Sequence, residues 1–167
     1  MAQAWYRDDS LGDPQSEHHL NPPQYISIDD LYSRTGVEYW KIDMDNLQTD
    51  ENFKNIRKIR GYDFEDHMEV SRETIPDYDE ATKMFYTEHE HEEDNVRLFT
   101  DGTGYFDVRD KNDRWIRIKV GRGVLLVLPG WTYHRFTPGA NNYTKVMRLY
   151  SSSHVWKTIE RREDSKP

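Results

Sequence analysis

The sequence contains no cysteine, which excludes disulfide bonds, thiolate zinc sites and cysteine nucleophiles. Any metal site must therefore use histidine, aspartate, glutamate or asparagine side chains. The sequence also lacks a run of about eighteen apolar residues, and its start has no basic segment followed by an apolar one. We therefore expect no membrane partner and a cytoplasmic protein, with the nucleus as a second compartment.

Basic residues are in the minority. Lys and Arg number 23 against 31 Asp and Glu, and the formal net charge at pH 7 is −8. Proteins that bind nucleic acids need an excess of positive charge, so we expect no nucleic-acid partner.

The mean hydropathy of −1.04 is low, but aromatic residues make up 13% of the chain and supply bulk for a small core. With 167 residues, the chain is long enough for one domain and too short for two.

Two short helices are predicted in the first part of the chain. Ser27 and Asp30 have the spacing of a capping box, which predicts a helix that ends at Gly36. A second helix is predicted over 49–60, with Phe53, Ile56 and Ile59 on one face and a stop at Gly61; a strand is predicted over 37–42. We expect a single domain over residues 24–157. Residues 1–23 are predicted to form an arm packed on this domain, and residues 158–167 a charged tail.

From residue 84 onward the pattern changes to short alternating runs, which is typical of an antiparallel sandwich or barrel. The predicted strands are 96–100, 105–109, 115–120, 124–128, 133–137 and 144–150. Asp101-Gly102 is predicted as a turn between the first two. In 115–120, the residues Ile116, Ile118 and Val120 alternate with Arg117 and Lys119, so we expect one buried face. These strands suit a double-sheet jelly roll.

A candidate metal site follows from the spacing of three histidines. His89 and His91 are two residues apart, so on a strand both side chains point to the same face, and His134 begins a later predicted strand. Three imidazoles favour Fe, Ni, Cu or Zn over Mg or Ca. The alternative is that His89 and His91 belong to a solvated strand edge in an acidic run, and spacing alone does not decide between the two. The remaining histidines, which we interpret as surface or packing residues, are His18, His19, His67 and His154.

Several motifs closely resemble those of acireductone dioxygenases, which are cupin proteins of the methionine salvage pathway. The resemblance covers roughly residues 4–157 and is carried by the segments 4–6, 39–41, 83–86, 102–110, 115–118, 128–129, 133–137 and 142–145. It implies a mainly β fold: a cupin-type double-stranded β-helix, or jelly-roll barrel, with two or three short N-terminal helices. We expect a monomer.

The resemblance also implies a reaction. In the family, Fe²⁺ or Ni²⁺ is bound by three histidines and one glutamate, and the metal chelates the small-molecule acireductone while O₂ attacks it. With iron the products are formate and 4-methylthio-2-oxobutanoate; with nickel they are carbon monoxide, formate and methylthiopropionate. Carried over, His89, His91 and His134 match three of the ligands. Arg97 matches an arginine near the substrate and would be a charge partner for the enediolate.

Two positions depart from the family pattern. The glutamate ligand lies four positions after the second histidine, where this chain has Asn95, whose side chain is one methylene shorter than that of Glu and carries no charge. Glu93, which would share the strand face of His89 and Asn95, is the best substitute. In addition, Trp131 stands where the family has glycine, and its indole could crowd the site or shift His134.

These observations leave three hypotheses. We expect a protein that is folded like the enzyme but is inactive or strongly impaired, because Asn95 replaces a metal ligand. The first alternative is an active acireductone dioxygenase that holds its metal with three histidines plus Asn95, Glu93 or water. The second is a non-catalytic binding or regulatory scaffold. Metal content distinguishes them, because a scaffold need hold no metal and an enzyme must.

Overall fold

The computed structural model describes residues 3–90, 93–151 and 159–160. Within these residues the chain forms eleven strands, three α-helices and one 3-10 helix. The strands are β1 (Ala4–Tyr6), β2 (Tyr25–Ile26), β3 (Glu38–Lys41), β4 (Phe64–Ser71), β5 (His89–Glu90), β6 (Asn95–Arg109), β7 (Trp115–Gly121), β8 (Val124–Leu128), β9 (His134–Pro138), β10 (Tyr143–Tyr150) and β11 (Ile159–Glu160). The helices are α1 (Ile28–Thr35), the 3-10 helix (Met44–Thr49), α2 (Glu51–Arg60) and α3 (Tyr78–Phe85). The fold is mainly β, as predicted.

Strand β6 joins the two sides of a curled antiparallel sheet. Its first half pairs with β8 and β10, and its second half pairs with β7 and β9. On one side the strand order is β4-β10-β6-β8-β3, and on the other it is β11-β5-β9-β6-β7-β1-β2. Because one strand belongs to both sides, the inward-facing residues of its two halves line the same interior.

The prediction that Asp101-Gly102 is a turn between two strands is wrong. The segment is a bend within the continuous 15-residue strand β6. At this bend the pairing with β10 shifts register between Lys145 and Val146, and Gly102 has a φ of +74°. A Cβ atom at Gly102 would overlap the backbone carbonyl of Tyr143. The glycine therefore permits a bulge that bends the strand into both sides of the sheet.

Both predicted helices form, and α2 begins at Glu51 rather than at Thr49. The Ser27 side chain accepts a hydrogen bond from the Asp30 N–H at 3.1 Å, and Gly36 and Gly61 end α1 and α2 in the left-handed conformation. The prediction for Ile59 is wrong, because this side chain is 79% exposed. Three residues turn a helix by about 300°, which is about 60° short of a full turn. Ile59 therefore lies about 120° around the helix from Phe53 and leaves the buried face.

The elements that were not predicted from the sequence include β4 and α3. Among the eight residues of β4 only Val70 and Ser71 are buried, so its sequence shows little apolar alternation. Helix α3 begins after Asp77, whose side chain makes no capping hydrogen bond. Strand β4 forms through tertiary pairing, because all eight of its residues pair with β10. No helix in the described part of the chain is long and apolar enough to span a membrane.

The core has two layers, separated by β8 and the first half of β6. Strand β8 is buried on both faces: Val124, Leu126 and Leu128 face the barrel interior, whereas Leu125 and Val127 pack in a second cluster. Phe53 and Ile56 of α2 belong to that second cluster. Helix α2 thus covers the outer face of β8, which explains the continuous apolar sequence of this strand.

The outer face of β7 is also covered, contrary to the expectation that only one of its faces is buried. Ile116, Ile118 and Val120 face the interior as predicted, but Arg117 is 0% exposed as well. Its guanidinium donates hydrogen bonds to the backbone carbonyls of Pro14 and Ser16. The N-terminal residues therefore pack over β7, and β1 extends the sheet beside it.

The carboxylate of Asp107 is the centre of a buried ionic cluster under this cover. It accepts hydrogen bonds from Arg117 Nε at 2.7 Å and Arg135 Nε at 2.8 Å, and Arg7 Nε lies 3.6 Å away. The Tyr86 hydroxyl donates to it at 3.3 Å. Burial acts to raise the pKa of Asp107, but the ion pairs with Arg117 and Arg135 outweigh burial and hold it below its usual value. The cluster ties β7, β9 and the residues that follow β1 and α3 to one ionised group.

Candidate metal centre

Two of the predicted ligand histidines meet inside the barrel. His89 in β5 and His134 in β9 are direct partners of neighbouring antiparallel strands. Their ring centroids lie 4.4 Å apart at an interplanar angle of 61°, and His134 is only 4% exposed. Strand pairing thus brings together two imidazoles that are distant in the sequence.

Backbone carbonyl groups fix the tautomers of both rings. His89 Nδ1 lies 2.6 Å from the Thr87 carbonyl oxygen, and His134 Nδ1 lies 2.9 Å from the Thr132 carbonyl oxygen. Because a carbonyl can only accept a hydrogen bond, Nδ1 carries the proton in each ring and Nε2 keeps its lone pair. Such contacts orient the imidazoles of metal sites, so both rings are prepared to coordinate through Nε2.

Asn95 lies beside these rings at the start of β6, and it is 4% exposed. Arg97 Nη2 donates a hydrogen bond to Asn95 Oδ1 at 3.1 Å, which fixes the orientation of the amide because a guanidinium has no acceptor. The amide nitrogen therefore faces His134, with 3.4 Å between Asn95 Nδ2 and His134 Nε2. Asn95 presents an N–H donor to the lone pair with which His134 would bind a metal.

Asn95 and the two histidines line a cavity of about 240 Å³. Its remaining wall, in the described residues, consists of apolar side chains and two arginines, Arg97 and Arg148. Burial, together with the charge of Arg148, lowers the pKa of Arg97 to about 9, so Arg97 remains a cation at neutral pH. Arg148 makes a two-point ion pair with Asp66, with both N···O distances at 2.7 Å.

Two further ligand positions were predicted from the sequence, His91 and Glu93. His91 lies outside the described residues. Glu93 lines a separate pocket with Tyr62, Asp94 and Tyr150, and it is not among the residues that line the barrel cavity. The predicted shared face of Glu93 and Asn95 required one continuous strand, but Glu93 and Asp94 lie outside the strands β5 and β6. Within the described residues, no group of three His, Asp or Glu side chains could hold a metal ion.

Trp131 affects the backbone rather than the cavity. Its φ is +63°, and Gly130 beside it has no positive φ, so the tryptophan itself adopts the conformation that suits glycine. The side chain is 60% exposed and is not part of the cavity wall. The indole therefore points away from the site, and the expected crowding of the cavity by Trp131 does not occur.

Sequence reasoning missed Arg148, the second arginine of the cavity. In β10 it follows Val146 by two residues, so both face the interior. The alternation of Val146 and Arg148 within a predicted strand was a usable signal. An arginine in such a strand normally lies on the solvated face, so the sequence alone did not indicate that Arg148 lines the cavity.

The curled antiparallel sheet and its inward-facing histidines define a cupin-type barrel protein. A family model for the ARD/ARD′ family matches residues 3–158. The chain therefore belongs to the ARD/ARD′ family, as the sequence motifs indicated. It is 47% identical to acireductone dioxygenase 3 of Physcomitrium patens, over 100% of this chain and 82% of that protein. It is 47% identical to acireductone dioxygenase of Ixodes scapularis, over 100% of this chain and 92% of that protein.

The human protein and a bacterial structure extend this comparison. Acireductone dioxygenase of Homo sapiens is 44% identical over 98% of this chain and 91% of its own length. The structure of acireductone dioxygenase from Bacillus anthracis, solved with a cadmium ion in its active center, superposes with a TM-score of 0.71 and 20% identity. That match covers 95% of this chain and 99% of the bacterial chain. It shows that the fold is the same.

Proposed function

We propose that this protein is a member of the acireductone dioxygenase family, of the methionine salvage pathway, in which dioxygenase activity is absent or strongly impaired. The observation that carries the proposal is the contact of Asn95 Nδ2 with His134 Nε2, at 3.4 Å. The metal implied by the family, Fe²⁺ or Ni²⁺, needs that lone pair and a carboxylate. At this position the chain offers an N–H donor and a neutral oxygen that already accepts from Arg97.

The donor groups of the site thus fit the expected metal only in part. His89 and His134 present correctly protonated imidazoles, and His91 would be the third. At the fourth position there is no carboxylate oxygen, which a divalent ion would bind at about 2.0 to 2.2 Å. Replacing a residue that only hydrogen-bonds to a metal ligand typically weakens metal binding by about 10 to 100-fold. Replacing a ligand itself should weaken metal binding more than that.

The active alternative needs another fourth ligand. The position of Glu93 in a separate pocket argues against its use, which leaves Asn95 or water. Asn95 could coordinate through Oδ1 only if the amide gave up its hydrogen bond from Arg97. Acireductone is the small-molecule substrate on this alternative, and the compartment we propose is the cytoplasm, with the nucleus as the second one.

The test compares the native protein with two variants at one position. Asn95→Glu restores length and charge, whereas Asn95→Gln restores length alone and is the matched control. Each protein is loaded with Fe²⁺ or Ni²⁺ without oxygen, dialysed, analysed for metal, and assayed for oxygen consumption with acireductone. We expect only Asn95→Glu to hold about one metal ion per chain and to consume oxygen.

Two outcomes would contradict the proposal. A native protein that already holds stoichiometric metal and consumes oxygen would establish the active alternative. If Asn95→Glu folds but binds no metal, Asn95 is not the cause of the impairment, and the non-catalytic scaffold becomes the better description.

A further inference from the structure

The bend in β6 contains a dipeptide with a chemistry of its own. Asp101 is followed by Gly102, and no other Asp or Asn in the sequence precedes a glycine. Because glycine has no Cβ atom, no side chain shields its backbone nitrogen from the carboxyl group of the preceding residue. The nitrogen can then attack that carboxyl group and close a five-membered succinimide ring. Asp101-Gly102 is therefore the position in this chain where ring closure meets the least steric hindrance.

The fold holds the two reacting groups of this dipeptide together. The backbone N–H of Gly102 donates a hydrogen bond to Asp101 Oδ1, with 2.8 Å between the nitrogen and the oxygen. The hydroxyl group of Tyr143 in β10 donates to the other carboxyl oxygen, Oδ2, at 3.2 Å. These two contacts keep the carboxyl group beside the nitrogen instead of leaving it free to rotate. Such positioning lowers the entropic cost of ring closure.

The sheet itself requires the residue that makes Asp101 reactive. Gly102 has a φ of +74°, and a Cβ atom there would overlap the backbone carbonyl of Tyr143. The pairing with β10 shifts register beside this dipeptide, and a bulge of this kind disrupts the ladder locally. Asp101 is exposed, so water can leave the site and enter it. The bend therefore combines an obligatory glycine, an oriented carboxyl group and access to solvent.

We propose that Asp101 isomerises to isoaspartate in the folded protein. The Gly102 nitrogen forms a bond to Cγ of the protonated Asp101 side chain and loses its proton, and one carboxyl oxygen leaves as water. Water then adds to the main-chain carbonyl carbon of the ring, whose bond to the Gly102 nitrogen breaks. The main chain now runs through Cβ and Cγ, and the former backbone carbonyl is a free carboxylate. Composition and mass are unchanged, so the conversion needs no oxidant or reductant.

The product changes the strand that belongs to both sides of the sheet. Asp101 and Gly102 pair with β10, and Thr103 pairs with β7. Isomerisation lengthens the main chain by one carbon atom between these two pairings. It also creates, at an exposed position, the carboxylate that a protein isoaspartate methyltransferase methylates. The bend is thus a site of spontaneous modification and a substrate for such an enzyme.

The experiment incubates the full chain at physiological temperature and neutral pH and follows its tryptic peptide, residues 98–109, by mass spectrometry. Fragmentation by electron transfer distinguishes isoaspartate from aspartate. The same peptide contains Asp107, which is 0% exposed and precedes Val108, so Asp107 is an internal control. We expect isoaspartate at Asp101 and none at Asp107.

A synthetic peptide with the sequence of residues 98–109 gives the reference rate. A strand that had to open before it could react would convert about 100-fold more slowly than this peptide, or slower still. The contacts of Asp101 make opening unnecessary, so we expect the folded chain to convert at no less than about one tenth of the peptide rate. A lower rate at Asp101, or equal conversion of Asp101 and Asp107, overturns the inference.

The variant Asp101→Glu is the matched control. It keeps the charge but adds one methylene group, so the nitrogen would have to close a six-membered ring. After ageing, a protein isoaspartate methyltransferase should label the native chain and leave the variant at background. Equal labelling of the two proteins overturns the inference. The mass spectrometric comparison uses the native chain alone, so it decides the inference even if the variant does not fold.

Discussion

The substitution Asp107→Asn tests how much of the stability of this fold depends on one buried charge. The carboxylate is 0% exposed, and its hydrogen bonds with Arg117 and Arg135 are 2.7 and 2.8 Å long. Asparagine has nearly the same shape but would leave these arginines, and Arg7, without a negative partner at their centre. Breaking a buried ion pair by removing one charge typically costs about 3 to 5 kcal/mol. For a chain of this length, we expect Tm to fall by about 10 °C.

The assay is thermal and urea unfolding, followed by circular dichroism at pH 7. The matched control is Asp79→Asn, because Asp79 has a 73% exposed side chain and pairs with an exposed arginine. Exposed pairs are worth about 0 to 1 kcal/mol, so the control should unfold almost like the native protein. If Asp107→Asn lowers the free energy of unfolding by less than about 1 kcal/mol, the reasoning is refuted. Solvent or a structural rearrangement would then stabilise the charges of the arginines in place of Asp107.

The same cluster predicts a pH dependence. Burial alone would raise the pKa of Asp107, but Arg117 and Arg135 hold its pKa below the usual value. The folded-state pKa thus lies below the unfolded value of about 3.9, and the charge contributes stability above that pH. This contribution is lost as the pH falls through the folded-state pKa. The difference in unfolding free energy between native protein and Asp107→Asn should be constant from about pH 6 to 8 and shrink below about pH 4.

Four further substitutions test local backbone conformation and helix capping. Gly102→Ala should lower the free energy of unfolding by about 3 kcal/mol or more, because the new Cβ overlaps the Tyr143 carbonyl. The control Gly61→Ala should lower it by only about 1 kcal/mol, because Gly61 has a similar φ but no atom within 4 Å of the new Cβ. Equal losses in the two variants would contradict this reasoning. Trp131→Asn should raise stability by about 1 kcal/mol by relieving a φ of +63°, and a loss would show that the indole packs usefully. Ser27→Ala should cost about 1 kcal/mol through loss of the α1 cap, measured by the same urea unfolding.

The parts of the fold that depend on neighbouring residues were predictable from the sequence. The start of α1 at Ser27 and the ends of α1 and α2 at glycines follow from local hydrogen bonds and from φ. Strand β4 was not predictable, because its charged sequence forms a strand only through pairing with β10. The bend at Gly102 was misjudged for the same reason, since an Asp-Gly pair indicates a turn unless distant strands pair through it.

The same distinction applies to the site. The spacing of His89 and His91 and the later position of His134 indicated a possible shared ligand set, and two of these side chains lie together in the cavity. The sequence could not predict the two contacts of the Asn95 amide, one with Arg97 and one with His134. It depends on which way one amide points, and that orientation is fixed only when the donors around it are known.

An asparagine at position 95 is compatible with the barrel, because the pairing of its strand does not depend on this side chain. The backbone of Asn95 pairs with Leu128 whatever side chain it carries, and the ionic cluster at Asp107 lies outside the cavity wall. On the proposed function, an asparagine in place of a carboxylate would therefore weaken the site for a divalent cation without a cost to the barrel.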